Sequence, residues 1–356
     1  MRWVVLFILA AILTILLYAI TPIGSQWRIW TTQAITITSK ASLVYISSND
    51  SFAATQEGIR AARFVLDALK NKSTDSAKAA SQIYDNLIPV ENYGGEYTTL
   101  EWFCKYLLAS DNEKKKFFSD KFAASFYDFF AENDYARLKE YLQRKYKLEQ
   151  FVDQNTQAGQ DRKAFLEDFI LFNNPRREEW EKTSKIIGVL NLKQGDTIAD
   201  VGSGPGYYTF KFSQLVGEKG RVFAIDTVKE HLNYVNSVSQ KYGIQNVETI
   251  QTGGDAIGVK ANQVNFAFLC SLYHNIYATA REEERNSFIE SIKQALKKDG
   301  TLIVVDNALV KDSELPYHGP YIAKELIIGQ LKYYGFHLVK DYAFIPQRYI
   351  LVFNKD

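Results

Sequence analysis

The sequence predicts an α/β protein whose carboxy-terminal half forms a mostly parallel, doubly wound sheet ending in an antiparallel strand pair. Three observations support this class. Short apolar runs alternate with helical patterns from residue 173 onward, the first run ends in a glycine-rich turn, and only IPQ separates the last two runs. A connection that short joins antiparallel strands, because parallel strands need a crossover of a dozen or more residues.

The amino-terminal residues predict a membrane-spanning helix. Residues 3–20, WVVLFILAAILTILLYAI, contain no charged side chain, and a helix of this length spans about 27 Å, close to the hydrocarbon thickness of a bilayer. A cleaved signal peptide is the alternative, but its apolar region is usually shorter. We therefore expect residues 1–24 to form an uncleaved single-pass anchor, with a signal segment as the open alternative.

Residues 25–172 predict a mainly helical module whose role the sequence does not reveal. From residue 58 to residue 172, apolar side chains recur at helical spacing, as in EGIRAARFVLDALKN, and PVENYGGEYT supplies a turn. The aromatic side chains on these helices fit a face that packs into a helical core better than they fit a ligand site.

Residues 173–356 predict the α/β domain. Its lead-in begins with Asn174 and Pro175, which suit the first turn of a helix, and acidic residues follow. The predicted strands are residues 197–202, 220–226, 246–251, 264–271, 301–307, 337–344 and 348–355. Helical patterns lie between them, at residues 207–216, 228–243, 281–300 and 321–336.

The composition narrows the classes of function. A net charge of +1 gives no overall field that would attract nucleic acid. The two cysteines, Cys104 and Cys270, have no Cys or His neighbour at the spacing of metal ligands. We therefore expect neither a disulfide framework nor a metal site. The sequence leaves the oligomeric state open.

A glycine-rich turn, VGSGPGYY, follows the first predicted strand and precedes its helix. Gly202, Gly204 and Gly206 allow a tight turn and let a ligand approach the backbone amides, close to the positive end of the helix. Asp226 ends the second strand, where a carboxylate accepts hydrogen bonds from a ribose diol. The pattern G-S-G-P-G-Y departs from the dinucleotide fingerprint, and the Walker ending is missing, so NAD and nucleoside triphosphates fit less well.

The segment DTIADVGSGPGYYTF, followed by GRVFAID, resembles the first two motifs of the class I S-adenosylmethionine-dependent methyltransferases. CSLYHNI is similar to their fourth-strand motif, and LKKDGTLIVVD to their fifth strand. The resemblance covers about residues 174–356. It implies a Rossmann-like sheet with the antiparallel end described above, and S-adenosyl-L-methionine as cofactor.

The resemblance also implies a set of cofactor-binding residues. They are Asp200, Gly202, Ser203, Gly204, Gly206, Asp226, Thr227, Asp255, Ala256 and Cys270. Among them Asp226 takes the ribose hydroxyls, Asp255 contacts the adenine amino group, and Cys270 lies beside the methyl group. The loop GGDAIGVKANQ is longer than usual in the family, so Asp255 as a plain turn residue stays an alternative.

The catalytic candidates are Tyr273 and His274, which follow the fourth strand. A neutral imidazole is a competent base near neutral pH, although His274 bonded to a loop carbonyl is the alternative reading. His318 lies on a later loop and is a further candidate for the mouth of the site, with a structural role as its alternative. No metal is expected in this chemistry.

Together these expectations describe a membrane-anchored methyltransferase that acts on a small molecule, a lipid-associated substrate or a protein group. Because S-adenosylmethionine is supplied in the cytosol, an active enzyme needs its carboxy-terminal domain in the cytoplasm. The alternative is a non-catalytic membrane protein whose methyltransferase-like domain binds cofactor or a partner.

Overall fold

The computed structural model describes residues 55–91, 95–117, 121–308, 321–345 and 348–356. The predicted anchor at residues 1–24 and the candidate His318 lie outside these residues. Within the described residues, none of the helices combines the length and the apolar character needed to cross a membrane. The helical module and the sheet fall within one compact unit, Gln56–Val310 together with Glu314–Asp356.

The amino-terminal part of this unit is helical, as the sequence predicts. Its helices are α1 (Gln56–Asn71), α2 (Thr74–Glu91), α3 (Glu96–Leu108), α4 (Asp111–Phe117), α5 (Lys121–Lys145) and α6 (Gln157–Phe172). Non-helical backbone at Glu132–Tyr135 interrupts α5. The Thr156 hydroxyl accepts a hydrogen bond from the Gly159 amide and so caps α6.

Aromatic side chains form the core of the helical module. Phe103, Phe126, Phe130 and Phe169 are fully buried, and the rings of Phe126 and Phe169 stack with centroids 5.8 Å apart. Burying a side chain of this size contributes about 1.5–3 kcal/mol to stability. The predicted packing role of the aromatic residues is confirmed.

A short lead-in connects the module to the sheet. The Asn174 side chain accepts a hydrogen bond from the Arg176 amide and caps a 3-10 turn at Pro175–Arg177. Helices α7 (Glu178–Glu181) and α8 (Thr183–Leu190) follow, separated by the left-handed residue Lys182. This is the helix start that the sequence predicts, divided by one break.

In the described part of the chain, seven strands form one sheet in the order β3-β2-β1-β4-β5-β7-β6. They are β1 (Thr197–Val201), β2 (Arg221–Asp226), β3 (Val247–Gln251), β4 (Val264–Cys270), β5 (Leu296–Asn307), β6 (Phe336–Ile345) and β7 (Arg348–Lys355). Strand β7 pairs antiparallel with both β5 and β6, and the remaining pairs are parallel. The predicted sheet class, including its antiparallel end, is confirmed.

Helices cover both faces of this sheet. They are α9 (Tyr207–Val216), α10 (Lys229–Tyr242), α11 (Tyr273–Thr279), α12 (Glu282–Ala295) and α13 (Lys324–Tyr333). On one face Val304 and Leu351 pack with Ile289 of α12. On the other face Phe268 packs with Phe212 of α9. The strand order reverses between β1 and β4, and ligands of such sheets bind at the carboxyl ends of the strands beside that reversal.

The helical module packs directly against α9 and α10. The rings of Phe122 and Phe210 stack with centroids 4.8 Å apart, and Phe169 meets Tyr234 edge-on at 4.6 Å. The Ser125 hydroxyl donates to the Tyr242 hydroxyl at 3.1 Å. The module therefore braces the two helices that follow β1 and β2.

Candidate active site

The glycine turn between β1 and α9 is held by backbone hydrogen bonds. The amides of Gly202 and Ser203 donate to the carbonyl oxygen of Ile225 in β2, at 2.8 and 2.9 Å. Gly202, Gly204 and Gly206 all have positive φ angles, of 73°, 53° and 94°. A side chain at these angles is strained, which explains why glycine occupies all three positions.

The turn also leaves room for a ligand. Gly202 is exposed, and a Cβ placed on Gly204 would meet no other atom within 4 Å. A Cβ on Gly202 would instead lie 2.9 Å from Leu272, so the segment after β4 borders the turn on one side. The backbone of the turn is therefore accessible along the carboxyl edge of the sheet.

Asp226, at the end of β2, is aimed at this turn. Its Oδ2 accepts a hydrogen bond from the Gly204 amide, and its Oδ1 from the Val228 amide, both at 2.8 Å. Burial tends to raise the pKa of Asp226, but His231 and these two amides outweigh it and hold the pKa below its ordinary value. The carboxylate is therefore ionised at neutral pH and can accept hydroxyl groups of a ribose.

The residues assigned to the ribose and adenine lie along the same edge. Thr227 follows Asp226 and is exposed, as is Asp255 in the loop after β3. Ala256 beside it is half-buried. In the sheet, Asp226 lies opposite Gln251, the last residue of β3, so the loop that carries Asp255 begins beside Asp226.

Asp200 is buried inside the turn. Its Oδ2 accepts a hydrogen bond from the Thr209 hydroxyl of α9 at 2.6 Å. Burial raises the pKa of Asp200 to about 7, against the effects of Thr209 and of the positive charge of Arg177. Asp200 thus connects the glycine turn to the first turn of helix α9. Ser203, in the glycine turn, is also buried.

His274 forms a pair with a buried carboxylate. Its Nδ1 lies 2.7 Å from Oδ1 of Asp306, which is fully buried near the end of β5. The His274 amide donates to the other oxygen of Asp306 at 2.9 Å. Because a carboxylate only accepts, the ring proton is assigned to Nδ1, which leaves Nε2 as the basic nitrogen.

Tyr273 does not face the same way as His274, which argues against the catalytic role predicted for Tyr273. Helix α11 begins at Tyr273, so successive side chains diverge by about 100°. The ring of Tyr273 packs in the core below α12 and α13, and its hydroxyl donates to Gln330 at 2.6 Å. A catalytic role for Tyr273 gains no support from this position.

A buried ionic cluster lies at the end of β4, and sequence reasoning missed it. The cluster consists of Arg177, Glu181 and Arg348, all nearly inaccessible to solvent. Both arginines donate to Oε1 of Glu181 at 3.0 Å, and Arg177 also pairs with Oε2. The thiol of Cys270 donates to the same Oε1 at 3.1 Å. An arginine that opens an otherwise apolar strand, as Arg348 does in RYILVF, was the available signal.

The cluster carries a net charge of +1 and touches the first turn of α9. The guanidinium carbon of Arg177 lies 4.8 Å from the ring centroid of Tyr207. Arg348 donates to the Ser271 hydroxyl at 2.8 Å. Cys270, which is the last residue of β4 and is predicted beside the methyl group, therefore contacts a buried cluster of net positive charge.

Two cavities lie away from the candidate site. A cavity of about 240 Å³ is lined by Leu69, Ser73 and Tyr135 of the helical module, among others. A groove of about 1050 Å³ runs along the amino ends of β1 and β2, beside Thr197 and Arg221. Within the described residues, no group of three His, Cys, Asp or Glu side chains could hold a metal ion. Neither cavity is lined by residues of the candidate site.

Comparison with known proteins agrees with this geometry. Residues 192–333 match a family model described as a methyltransferase domain. Over 128 residues the chain is 32% identical to the protein-L-isoaspartate O-methyltransferase of Methanococcus aeolicus, a match that covers 36% of this chain and 53% of that protein. The chain therefore spans about half the length of this relative.

Two further matches cover more of the related protein. Over 191 residues the chain is 28% identical to the "Probable cobalt-precorrin-6B C(15)-methyltransferase (decarboxylating)" of Sulfolobus acidocaldarius, covering 50% of this chain and 91% of the relative. A crystal structure of a SAM-dependent methyltransferase from Aquifex aeolicus is 26% identical, covers 51% of this chain and 94% of that one, and has a TM-score of 0.46.

The strand order, the glycine turn and the strand-end carboxylate suit an adenosyl ligand, and the matched family and relatives are methyltransferases. Residues 192–333 of this chain therefore form a methyltransferase domain, and its cofactor is S-adenosylmethionine.

Proposed function

We propose that this protein transfers a methyl group from S-adenosylmethionine to a protic oxygen or nitrogen of its acceptor, with His274 as the general base. The observation that carries this proposal is the His274–Asp306 pair at the carboxyl edge. It lies in the segment whose Leu272 borders the glycine turn. A histidine oriented by a buried carboxylate is a common arrangement for removing a proton.

The residues of the turn fit the cofactor. The exposed backbone around Gly202 and Gly204 accommodates the methionine part, and Asp226 offers an ionised carboxylate to the ribose. S-adenosylmethionine supplies an electrophilic methyl group on a sulfonium. The protein then has to hold the acceptor in line with that methyl group and accept the acceptor's proton.

The chain's own chemistry lies with His274. Its Nε2 takes the proton of the acceptor, while Asp306 holds Nδ1–H and stabilises the imidazolium that results. The amide of His274 and the amide of Asn307 also donate to Asp306. These bonds fix the carboxylate, so the orientation of the ring does not depend on the acceptor.

The proposal extends to the membrane. The uncharged segment at residues 3–20 supports a single-pass anchor, and the acceptor is then a small or membrane-associated molecule that reaches a cytoplasmic domain. Fractionation of the full chain against a variant lacking residues 1–24, with a reporter fused after Asp356, tests this part. A reporter on the extracytoplasmic side, or a soluble full chain, would contradict it.

The central experiment is a calorimetric titration of the full chain with S-adenosylmethionine and, separately, with NAD. Binding of the first and not the second is expected. Transfer of labelled methyl groups is then measured with small-molecule, lipid and protein fractions as acceptors. Failure to bind S-adenosylmethionine would refute the proposal, and binding without transfer to any fraction would favour the non-catalytic alternative.

A further inference from the structure

His231 lies between two carboxylates that come from different parts of the chain. Its Nδ1 is 3.4 Å from Oδ1 of Asp226, the ribose-binding acid at the end of β2. Its Nε2 is 3.7 Å from Oδ2 of Asp168, which belongs to α6 of the helical module. The imidazole is buried, with 3% of the residue exposed. It thus lies between the module and the cofactor site, within ion-pair distance of Asp168 but without a hydrogen bond to it.

Among the groups around His231, these two carboxylates are the ones that face its ring nitrogens. From α6, the ring of Phe165 packs against the imidazole at 5.6 Å, and Glu167 adds negative charge near Asp168. From β1, Asp200 adds negative charge near Asp226. On α10 itself, the neighbouring Lys229 and Glu230 are exposed.

To donate to both carboxylates, His231 needs one proton more than a neutral imidazole ring carries. A neutral imidazole has a single N–H, whereas two carboxylates face its two nitrogens. The missing proton resides on the ring or on Asp168. The protein around Asp168 raises the pKa of its carboxyl group, and His231 opposes this rise. Because 36% of the Asp168 side chain is open to solvent, water also stabilises its ionised form and limits the rise.

We propose that His231 is a positioning residue through which Asp168 of the helical module holds Asp226 ready for the ribose, and that a proton shared by Asp168 and His231 maintains this state. The inference rests on the proposed cofactor site. It gives the helical module a role in cofactor binding, without any contact between the module and the cofactor.

The hydrogen bonds of Asp226 explain why the shared proton matters. Oδ1 receives the Val228 amide and His231, and Oδ2 receives the Gly204 amide. A carboxylate oxygen offers two acceptor positions, so one on Oδ2 remains for a ribose hydroxyl. When the shared proton is lost, the single N–H can turn to Asp168. A ring lone pair then faces Oδ1, and the carboxylate rotates away from the turn.

The test is the affinity of the full chain for S-adenosylhomocysteine, measured by calorimetry from about pH 6 to about pH 9. In the wild-type protein the affinity is expected to fall about tenfold over this range, the change that a one-unit shift of a coupled pKa produces. In Asp168→Asn the amide donates to a neutral Nε2 and keeps Nδ1–H on Asp226 without a titrating proton. This variant is therefore expected to keep its affinity within about twofold at the higher pH.

Asp128→Asn is the matched control. Asp128 of α5 forms an exposed ion pair with Lys241 of α10 at 2.8 Å, so it also joins the module to the sheet domain, but far along α10 from His231. Its pH profile should follow that of the wild type, including any contribution from the amino group of the ligand. A second variant, His231→Gln, should bind more weakly at low pH and lose the pH dependence.

A readout without ligand completes the test. Nitrogen chemical shifts of the His231 ring should change with pH in the wild type and report a fixed Nδ1–H tautomer in Asp168→Asn. Equal pH profiles for wild type and Asp168→Asn, with binding intact, would overturn this inference and leave the proposed function standing. Absence of binding at every pH would overturn both.

Discussion

Along the carboxyl edge of the sheet, the β1–β2 half and the β4–β7 half contain different kinds of chemical groups. The β1–β2 half presents exposed glycine backbone and one carboxylate, Asp226, all within residues 200–228. The β4–β7 half presents buried polar and charged side chains, among them Glu181, His274 and Arg348, drawn from distant parts of the chain. The first half suits a ligand held by its shared adenosyl parts, and the second suits chemistry specific to this protein.

This difference indicates which substitutions should impair each half of the site. Backbone amides survive most substitutions, so the cofactor half fails chiefly when a glycine or Asp226 changes. The other half depends on charges that neutralise one another away from water, where removal of one partner is costly. The predictions below test this contrast.

The largest expected effect is at His274. Replacement by Gln removes the base and should lower kcat by about 1000-fold, a typical contribution of general base catalysis. The affinity for S-adenosylmethionine should stay within about twofold, because the turn is built from other residues. Steady-state kinetics combined with calorimetry separates the two quantities. Tyr273→Phe is the control and should leave kcat unchanged, since that hydroxyl bonds to Gln330.

Glu181→Gln comes next and acts on stability. It leaves Arg177 and Arg348 buried without a counter-charge, so the free energy of unfolding should fall by about 3 kcal/mol. Chemical denaturation measures this loss. Glu179→Gln, on the same short helix, removes an exposed pair with Arg176 and should cost less than about 0.5 kcal/mol. Equal costs for the two variants would contradict the description of the cluster as buried.

Asp226→Asn tests the cofactor half. The amide cannot accept at both ends and carries no charge, so the affinity for S-adenosylmethionine should fall about thirtyfold, the worth of a strong hydrogen bond to a charged group. Calorimetry measures the change. Asp255→Asn, at an exposed loop position, should change the affinity by no more than about threefold. A larger effect at Asp255 than at Asp226 would reverse the assignment of the two acids.

Asp200→Asn acts on the pH dependence of stability. Burial raises the pKa of Asp200 to about 7 in the folded protein, from an ordinary value of 3.8. The folded state therefore binds more protons between these values, so this contribution to stability is present at low pH and is lost as pH rises through about 7. Relative to wild type, the variant should gain about 2–3 kcal/mol in unfolding free energy between pH 5 and pH 8. A constant difference across this range would show that Asp200 does not titrate there.

The same contrast explains how far sequence reasoning reached. The cofactor half could be predicted because its residues are close in the chain and three glycines mark a turn that other residues cannot form. His274 could be predicted from its place after β4, but Tyr273 could not be separated from it without knowing that α11 begins there. Asp306, Glu181 and Arg348 come together only through strand pairing, which a local pattern does not contain.

The helical module illustrates the same limit. Its helices follow from local periodicity. The contact between Asp168 and His231 cannot be predicted in this way, because an aspartate near the end of a helix is common and carries no signal by itself. Its meaning depends on which helix packs against α10, and long-range packing decides that.

The placement of β7 has a consequence for how the protein is assembled. Although β7 follows β5 and β6 in the chain, it lies between them, and its first residue is Arg348. Until β7 enters, β5 and β6 have no common neighbour, and Glu181 has only one arginine. Insertion of β7 therefore completes both the sheet and the charged end of the site.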